Sequence, residues 1–276
     1  MQNIRSTVAF DALFMYPGHD NTIGKCLSEA GEFARAEVEF LLEHLGVRAA
    51  LYDVGANIGT ICIPLARSRS GASFYAFEPQ LSLYQLLLRN IALNGLLSIE
   101  AYPWAIGDYD GLIDFAAPIG DKSTNFGGVG RGTNDGPRIP VILRKLDSLQ
   151  LPPPQILKID VEGFDLEVVQ GGAILIQEHR PIVFVEAKET AKTVELNTTL
   201  LSWDYQLFWF FAPFVSSNNF RGVKIDGPSV LGDINIAAFP SGQQPKWSLP
   251  KLARADEDWR TRLSEFSYLG RYGFGR

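Results

Sequence analysis

The sequence predicts an α/β fold, a mostly parallel sheet with helices on both faces and an antiparallel hairpin at one edge. Three observations carry this expectation. Short apolar runs such as ALYDV (50–54), QILKID (155–160) and PIVFVEA (181–187) recur along the chain. Helical patterns separate most of them, the alternation expected of parallel strands buried on both faces. The last two runs, YQLFWFFAPF (205–214) and DINIAAFP (233–240), have no helical pattern between them and read as a hairpin.

The elements follow in order. The first strand, 50–54, runs into a glycine-bearing break and then a helix over 58–69. SFYAFE (73–78) is the second strand, and LSLYQLLLRNIALNG (81–95) is an amphipathic helix stopped at Asn94-Gly95. SIEAYPWAIG (98–107) reads as one strand, and 111–117 and 138–143 as two more that flank a loop. QILKID is the fourth core strand, followed by a helix over about 165–178. PIVFVEA is the fifth, with a helix over 190–201 after it.

Residues 1–48 are expected to form a helical cap segment, because Phe33, Val38, Leu41, Leu42 and Leu45 fall near helical spacing. Residues 49–240 make the core domain. Residues 241–276 read as a tail with a short helix near 256–267.

The 276 residues, 46% of them hydrophobic, are enough for a substantial core. A net charge of −6 argues against a protein that coats nucleic acid. Two cysteines, Cys26 and Cys62, make neither a disulfide framework nor a zinc site. The first 20 residues lack the apolar block of a signal peptide, and no apolar run approaches the about 18 residues of a membrane span. The expectation is a soluble cytoplasmic protein that binds neither membrane nor nucleic acid. Its oligomeric state is not legible.

The break after the first strand reads Asp53-Val54-Gly55-Ala56-Asn57-Ile58-Gly59. Two glycines spaced GxxxG do not make the GxGxxG of a dinucleotide site, and no Gly-Lys-Ser/Thr follows to make a P-loop. A backbone open to close approach at Gly55 and Gly59 remains. The second strand ends in Glu78, well placed for a bidentate bond to ribose hydroxyls. A ribose acid without a phosphate cradle suits a phosphate-free nucleoside with a positive centre, and S-adenosylmethionine is one. The bland alternative is a tight strand-to-helix turn with two solvated acids.

The stretches DVGANIGT, YAFEPQLSLYQLLLRNIALNG, WAIGDYDG, STNFGG, KLDSL and LKIDVEGFDLEVVQGG, with RPIVFVEA after them, resemble the FkbM family of S-adenosylmethionine-dependent methyltransferases. The resemblance spans roughly residues 20–240. It implies the class I methyltransferase fold, a Rossmann-like seven-stranded sheet with one antiparallel strand. It also implies methyl transfer to an oxygen of a sugar or natural product, with a small molecule or glycan as partner. By the same resemblance, Asp53, Gly55, Asn57 and Gly59 line the methionine end of the cofactor, Glu78 takes the ribose, and Asp108 lies near the adenine.

Methyl transfer to a hydroxyl needs alignment, exclusion of water and a base. His19, His44 and His179 are poorly placed. The strand-tip carboxylates Asp160, Glu162 and Glu186 are better, since like charges and partial burial raise a carboxyl pKa. Glu162 could instead cap the next helix or pair with Lys158 or Lys188. Carboxylates at the ends of these strands could also hold Mg²⁺, but Glu186 has no second acid beside it, so no metal is expected. In the glycine-rich loop 120–137, Ser123 and Asn125 offer hydrogen bonds to an acceptor. Among Trp203, Tyr205, Phe208, Trp209, Phe210, Phe211 and Phe214, most fit core packing and some could line an acceptor site. Two rival readings are a nicotinamide-dependent oxidoreductase on a related sheet and a cofactor-binding but inactive partner protein.

Overall fold

The computed structural model describes residues 3–116, 138–187, 191–224 and 232–274. The chain opens with two strands, β1 (Ile4–Ala9) and β2 (Ala12–Pro17), paired antiparallel. The turn between them places Phe10 and Asp11 at φ 51 and 55°, the left-handed pair that a two-residue hairpin requires. Helices α1 (Ile23–Ala30) and α2 (Arg35–His44) follow. The N-terminal segment is therefore not helical throughout, as the sequence had led us to expect. Alternating Ala12, Phe14 and Tyr16 are buried, a period-2 signal masked by the surrounding apolar residues.

The core contains β3 (Ala50–Val54), α3 (Cys62–Ser68), β4 (Ser73–Phe77), α4 (Leu81–Leu93) and β5 (Ile99–Tyr102). Then come β6 (Trp104–Ile106), β7 (Gly111–Ala116), β8 (Arg138–Arg144) and β9 (Ile156–Ile159). The chain continues through α5 (Asp165–Gly171), α6 (Ala173–His179), β10 (Ile182–Glu186), α7 (Ala191–Ser202), β11 (Tyr205–Pro213) and β12 (Gly232–Pro240). Seven strands form one sheet in the order β11-β12-β10-β9-β3-β4-β5, with β12 antiparallel to both its neighbours. The expected hairpin lies at the sheet edge, and its second strand is inserted one place inward. The chain begins this sheet at β3, builds outward to β5, then returns to the other side of β3 at β9. Strand order thus reverses between β3 and β9, where α/β sheets bind ligands.

Three boundaries differ from the sequence reading. The strand expected over 98–107 breaks at Pro103, which lacks the N–H a ladder needs. Its second half, β6, joins a separate sheet in the order β6-β8-β7. The helix expected from residue 58 starts at Cys62, because Asn57 (φ 52°) and Gly59 (φ 93°) adopt left-handed backbone. The helix expected over 165–178 divides at Gly172. There a Cβ on Gly171 would sit 1.8 Å from the Gly107 carbonyl oxygen.

Asn90 of α4 and Asn94 at its C-terminal cap dock the hairpin. Asn90 accepts from the Met15 N–H at 2.7 Å and donates to the Met15 and Ile58 carbonyls at 3.0 and 2.9 Å. Asn94 brackets Leu13 in the same way. These amides complete a strand edge that would otherwise be unpaired. At the other end of the chain, the expected tail lies against β11. Trp209 N–H donates to the Pro250 carbonyl and Leu252 N–H to the Leu207 carbonyl, both at 2.8 Å. Trp247, Phe266, Tyr268 and Tyr272 are buried, and a short 3₁₀ helix at Trp259–Glu265 falls within the window where a helix was expected. Most of the late aromatics are core. Phe210 packs against Phe40, Phe184, Trp247 and Tyr268 at centroid distances of 4.8–5.9 Å.

Candidate functional site

The C-terminal ends of β3, β4, β9 and β10 open into one cleft, about 1210 Å³ with the open solvent at its mouth included. One half is walled by Gly55, Asn57, Phe77, Glu78, Gln80, Trp104 and Ile106, and the other by Phe33, Glu37, Asp160, Glu186, Phe214 and Asp233.

Gly55 fixes the floor at the strand reversal. Its φ is 84°, and a Cβ there would lie 1.8 Å from the Asp160 carbonyl oxygen. No other residue fits between β3 and β9 at this point. Asn57, at φ 52°, holds its left-handed turn by accepting the Ile58 N–H on its own side chain at 2.8 Å. Gly59 stands behind the loop, not on the cleft wall, and gives way to Ile63 and Leu87.

Glu78 is 4% exposed. Its two oxygens accept the Asn57 and Gln80 N–H groups at 2.9 and 2.8 Å. It therefore ties the glycine loop to the end of β4 and still presents free lone pairs toward the cleft. Burial raises its pKa to about 7, against the two N–H groups, which lower it.

Beneath the loop lies a buried charge pair. Register pairs Asp53 on β3 with Lys158 on β9. The ammonium stands 3.2 Å from Asp53 and 3.5 Å from Asp160. Asp53 is fully buried and is not on the cleft wall. Burial works against the Lys158 charge, but Asp53 and Asp160 hold its pKa well above the ordinary lysine value.

Asp160, Glu162 and Glu186 all line the cleft, as does Lys158. Glu162 is held at φ 54°, a left-handed backbone uncommon outside glycine and found at functional sites, and Gly163 beside it takes 84° without strain. Asp165 caps this turn, accepting the Val161 and Gly163 N–H groups at 3.2 and 3.1 Å. Lys192 of α7 braces the turn through the Gly163 carbonyl and Glu167. Asp108 is exposed and lies outside the cleft wall, while its neighbours Trp104, Ala105 and Ile106 line it. Ser123 and Asn125 lie outside the described residues. Among those described, no cluster of three or more His, Cys, Asp or Glu is arranged to hold a metal ion.

His44 is structural. Its Nδ1 meets the Phe40 carbonyl at 2.7 Å, its Nε2 accepts the Lys246 N–H at 2.9 Å, and burial lowers its pKa. Cys62 is buried, which pushes its thiol well above the usual value.

Sequence reasoning missed Glu37. It lies on α2, 7% exposed, and reaches the cleft far along the chain from the strand tips. The signal was available: a Glu on the buried side of an amphipathic helix, one residue before Val38. Glu32 and Arg35 hold this segment in place. Glu32, fully buried, pairs with Arg35 at 3.1 Å and accepts the Ser216 N–H at 2.7 Å. Phe33 stacks on Phe214 at 5.4 Å.

Burial sets Glu37 at about 8, Glu78 at about 7 and Asp165 at about 6. All three lie above the roughly 4 of an unfolded chain. As pH rises through that interval the unfolded chain sheds these protons first, so folding stability present below pH about 4 is lost progressively up to about 8. The ligand-free protein is therefore expected to melt at a lower temperature at pH about 8.5 than at about 5. Glu37→Gln should remove the largest part of that slope. A melting temperature that rises over the interval would show these carboxyls ionised in the fold.

The profile of the methyltransferase FkbM domain matches residues 53–207. The hexuronic acid methyltransferase AglP of Haloferax volcanii is 29% identical over 140 residues, 49% of this chain and 54% of that protein. Methyltransferase sdnD of Sordaria araneosa is 28% identical over 165 residues, 48% of this chain and 62% of that protein. The matches thus span between half and two thirds of these curated relatives. A solved FkbM methyltransferase from Methylobacillus flagellatus aligns at a TM-score of 0.47 and 19% identity, over 70% of this chain and 44% of that one. The profile match covers more than half of the chain and contains the glycine loop, Glu78 and the Lys158–Asp160 strand end. The chain belongs to the FkbM family of S-adenosylmethionine-dependent methyltransferases.

Proposed function

We propose that this protein transfers a methyl group from S-adenosylmethionine to a hydroxyl of a sugar or other small natural product. One observation carries the reading. A single cleft at the strand reversal joins a glycine loop and buried ribose-type acid on one side to a carboxylate-bearing chamber on the other. Gly55 and Asn57 offer close backbone approach to the methionine end, with Asp53 and Lys158 supporting them from below. Glu78 takes the ribose hydroxyls. Phe77, Trp104, Ile106 and Phe115 form an apolar wall for the adenine. Asp160, Glu162 and Glu186 face the acceptor, where carboxylates orient hydroxyl groups. The hexuronic acid methyltransferase among the relatives supports a sugar-type acceptor.

The bound cofactor supplies an electrophilic methyl and a good leaving group. The acceptor oxygen bonds the methyl carbon as the carbon–sulfur bond breaks, and that pair stays on sulfur. The chain's part is to align the two, exclude water and remove the hydroxyl proton.

The purified protein is to be tested with S-adenosylmethionine against a panel of hydroxylated and amine-bearing sugars and natural products. Release of S-adenosylhomocysteine with an ether product is expected. Methylation of amines alone would overturn transfer to oxygen, and thermal stabilisation by NAD but not by S-adenosylhomocysteine would overturn the cofactor assignment. Asp160→Asn should lower turnover more than it lowers S-adenosylhomocysteine affinity. Equal losses would remove Asp160 from the acceptor side.

A further inference from the structure

Glu37 is the one cleft carboxyl supplied by the N-terminal helices. It is almost fully buried, yet it lines the cleft with Phe33, Phe214 and Asp233. Among the described residues, its Oε1 meets no hydrogen-bond partner. A buried carboxyl oxygen with no partner is costly unless a ligand completes it. The strand-tip carboxylates sit on the sheet, not on the N-terminal helices. Asp160 shares Lys158 with Asp53, and Glu162 and Glu186 each make other contacts, though Glu186 Oε2, like Glu37 Oε1, meets no hydrogen-bond partner among the described residues.

Resting on the methyl-transfer reading above, we infer that Glu37 is the general base: it faces the acceptor half of the cleft and takes the proton of the hydroxyl being methylated. The proton passes to the Glu37 carboxylate as the new carbon–oxygen bond forms, and water carries it away after the product leaves. The inference gives α1 and α2 a second purpose beyond covering the sheet. They carry the base to the site, so base and cofactor loop come from different parts of the chain.

The surroundings of Glu37 fit the task. Lys158 and Asp160 face it from β9 and its neighbourhood, Asp53 from β3 and Asp233 from β12. Of the elements packed on its helix, β11 carries only Tyr205 as a titratable group, α3 only Cys62 and Arg67, β10 Glu186 and β12 Asp233, while the C-terminal segment brings Lys246 to His44 and Tyr272 to Glu39. On α2 itself, Arg35 is taken by Glu32 and Glu39. Burial raises the Glu37 carboxyl to about 8, with Lys158 opposing and the three aspartates reinforcing. A base poised near the working pH is the efficient one.

Sinefungin tests the inference without a known acceptor. It is an analogue of S-adenosylmethionine with an amine in place of the methylated sulfonium, so its ammonium probes the point from which the methyl leaves. Calorimetric titrations of the full chain with sinefungin and with S-adenosylhomocysteine are to be made at pH values on either side of about 8. The sinefungin preference should grow as pH rises through that value. Glu37→Gln should reduce the preference about tenfold at the higher pH, the size of one charged hydrogen bond, and leave S-adenosylhomocysteine affinity unchanged. Equal loss for both ligands would place Glu37 at the methionine end and overturn the inference. So would a preference that Glu37→Gln leaves intact, or one that Asp160→Asn alone abolishes. If the wild type binds neither ligand, it is the cofactor reading that fails. An unchanged melting temperature of Glu37→Gln at pH about 5 establishes that the variant folds.

Discussion

Lys158→Ala is expected to destabilise the fold by about 3–5 kcal/mol, the largest effect of any single cleft substitution. The ammonium lies between Asp53 at 3.2 Å and Asp160 at 3.5 Å, and both Lys158 and Asp53 are buried. Removing the cation leaves the Asp53 carboxylate in the sheet interior with no opposite charge beside it. The cost comes from that stranded charge, not from the worth of the pair, since a buried ion pair gains little over apolar residues of equal volume. The double variant Asp53→Asn with Lys158→Met should therefore be more stable than Lys158→Ala alone. Chemical denaturation checks both statements. A loss below about 1 kcal/mol for Lys158→Ala would mean that water already reaches the pair.

Glu78→Ala should weaken S-adenosylhomocysteine binding by about 1–3 kcal/mol, roughly ten- to a hundredfold in Kd. Two losses combine. The ribose hydroxyls lose their acceptor, and the Asn57 and Gln80 N–H groups lose the carboxylate that fixes the loop. Glu78→Gln separates them, because one amide oxygen can serve a backbone N–H but the second position becomes a donor. Binding should fall for Glu78→Gln nearly as far as for Glu78→Ala, with less loss of melting temperature. Unchanged affinity in Glu78→Ala would remove this residue from the ribose.

Much of the cleft was legible from local chemistry. Glycine at the tip of a buried strand followed by an acid at the tip of the next is a local pattern, and it identified Gly55 and Glu78 without reference to the rest of the chain. The same logic located Asp160 and Glu186, since each ends an apolar run. Asp108 is exposed and off the cleft wall, while its neighbours Trp104, Ala105 and Ile106 line it. Pro103 splits the strand expected over 98–107 between two sheets, which no local pattern announced. The hairpin at Ile4–Ala9 and Ala12–Pro17 was hidden in a run too apolar for its alternation to stand out.

The sequence by itself determined the α/β class, the reversal point and the kind of cofactor, because each follows from contacts between residues near in the chain or from strand-end chemistry. Only the tertiary structure decided which distant residues share the cleft. Glu37 is separated from Asp160 and Asp233 by most of the core domain, and no periodicity connects them. Asn90 and Asn94 docking the N-terminal hairpin, and Glu32 gripping the Ser216 backbone, place α2 over the cleft. These long-range hydrogen bonds bring a buried carboxyl to a site it does not neighbour in sequence.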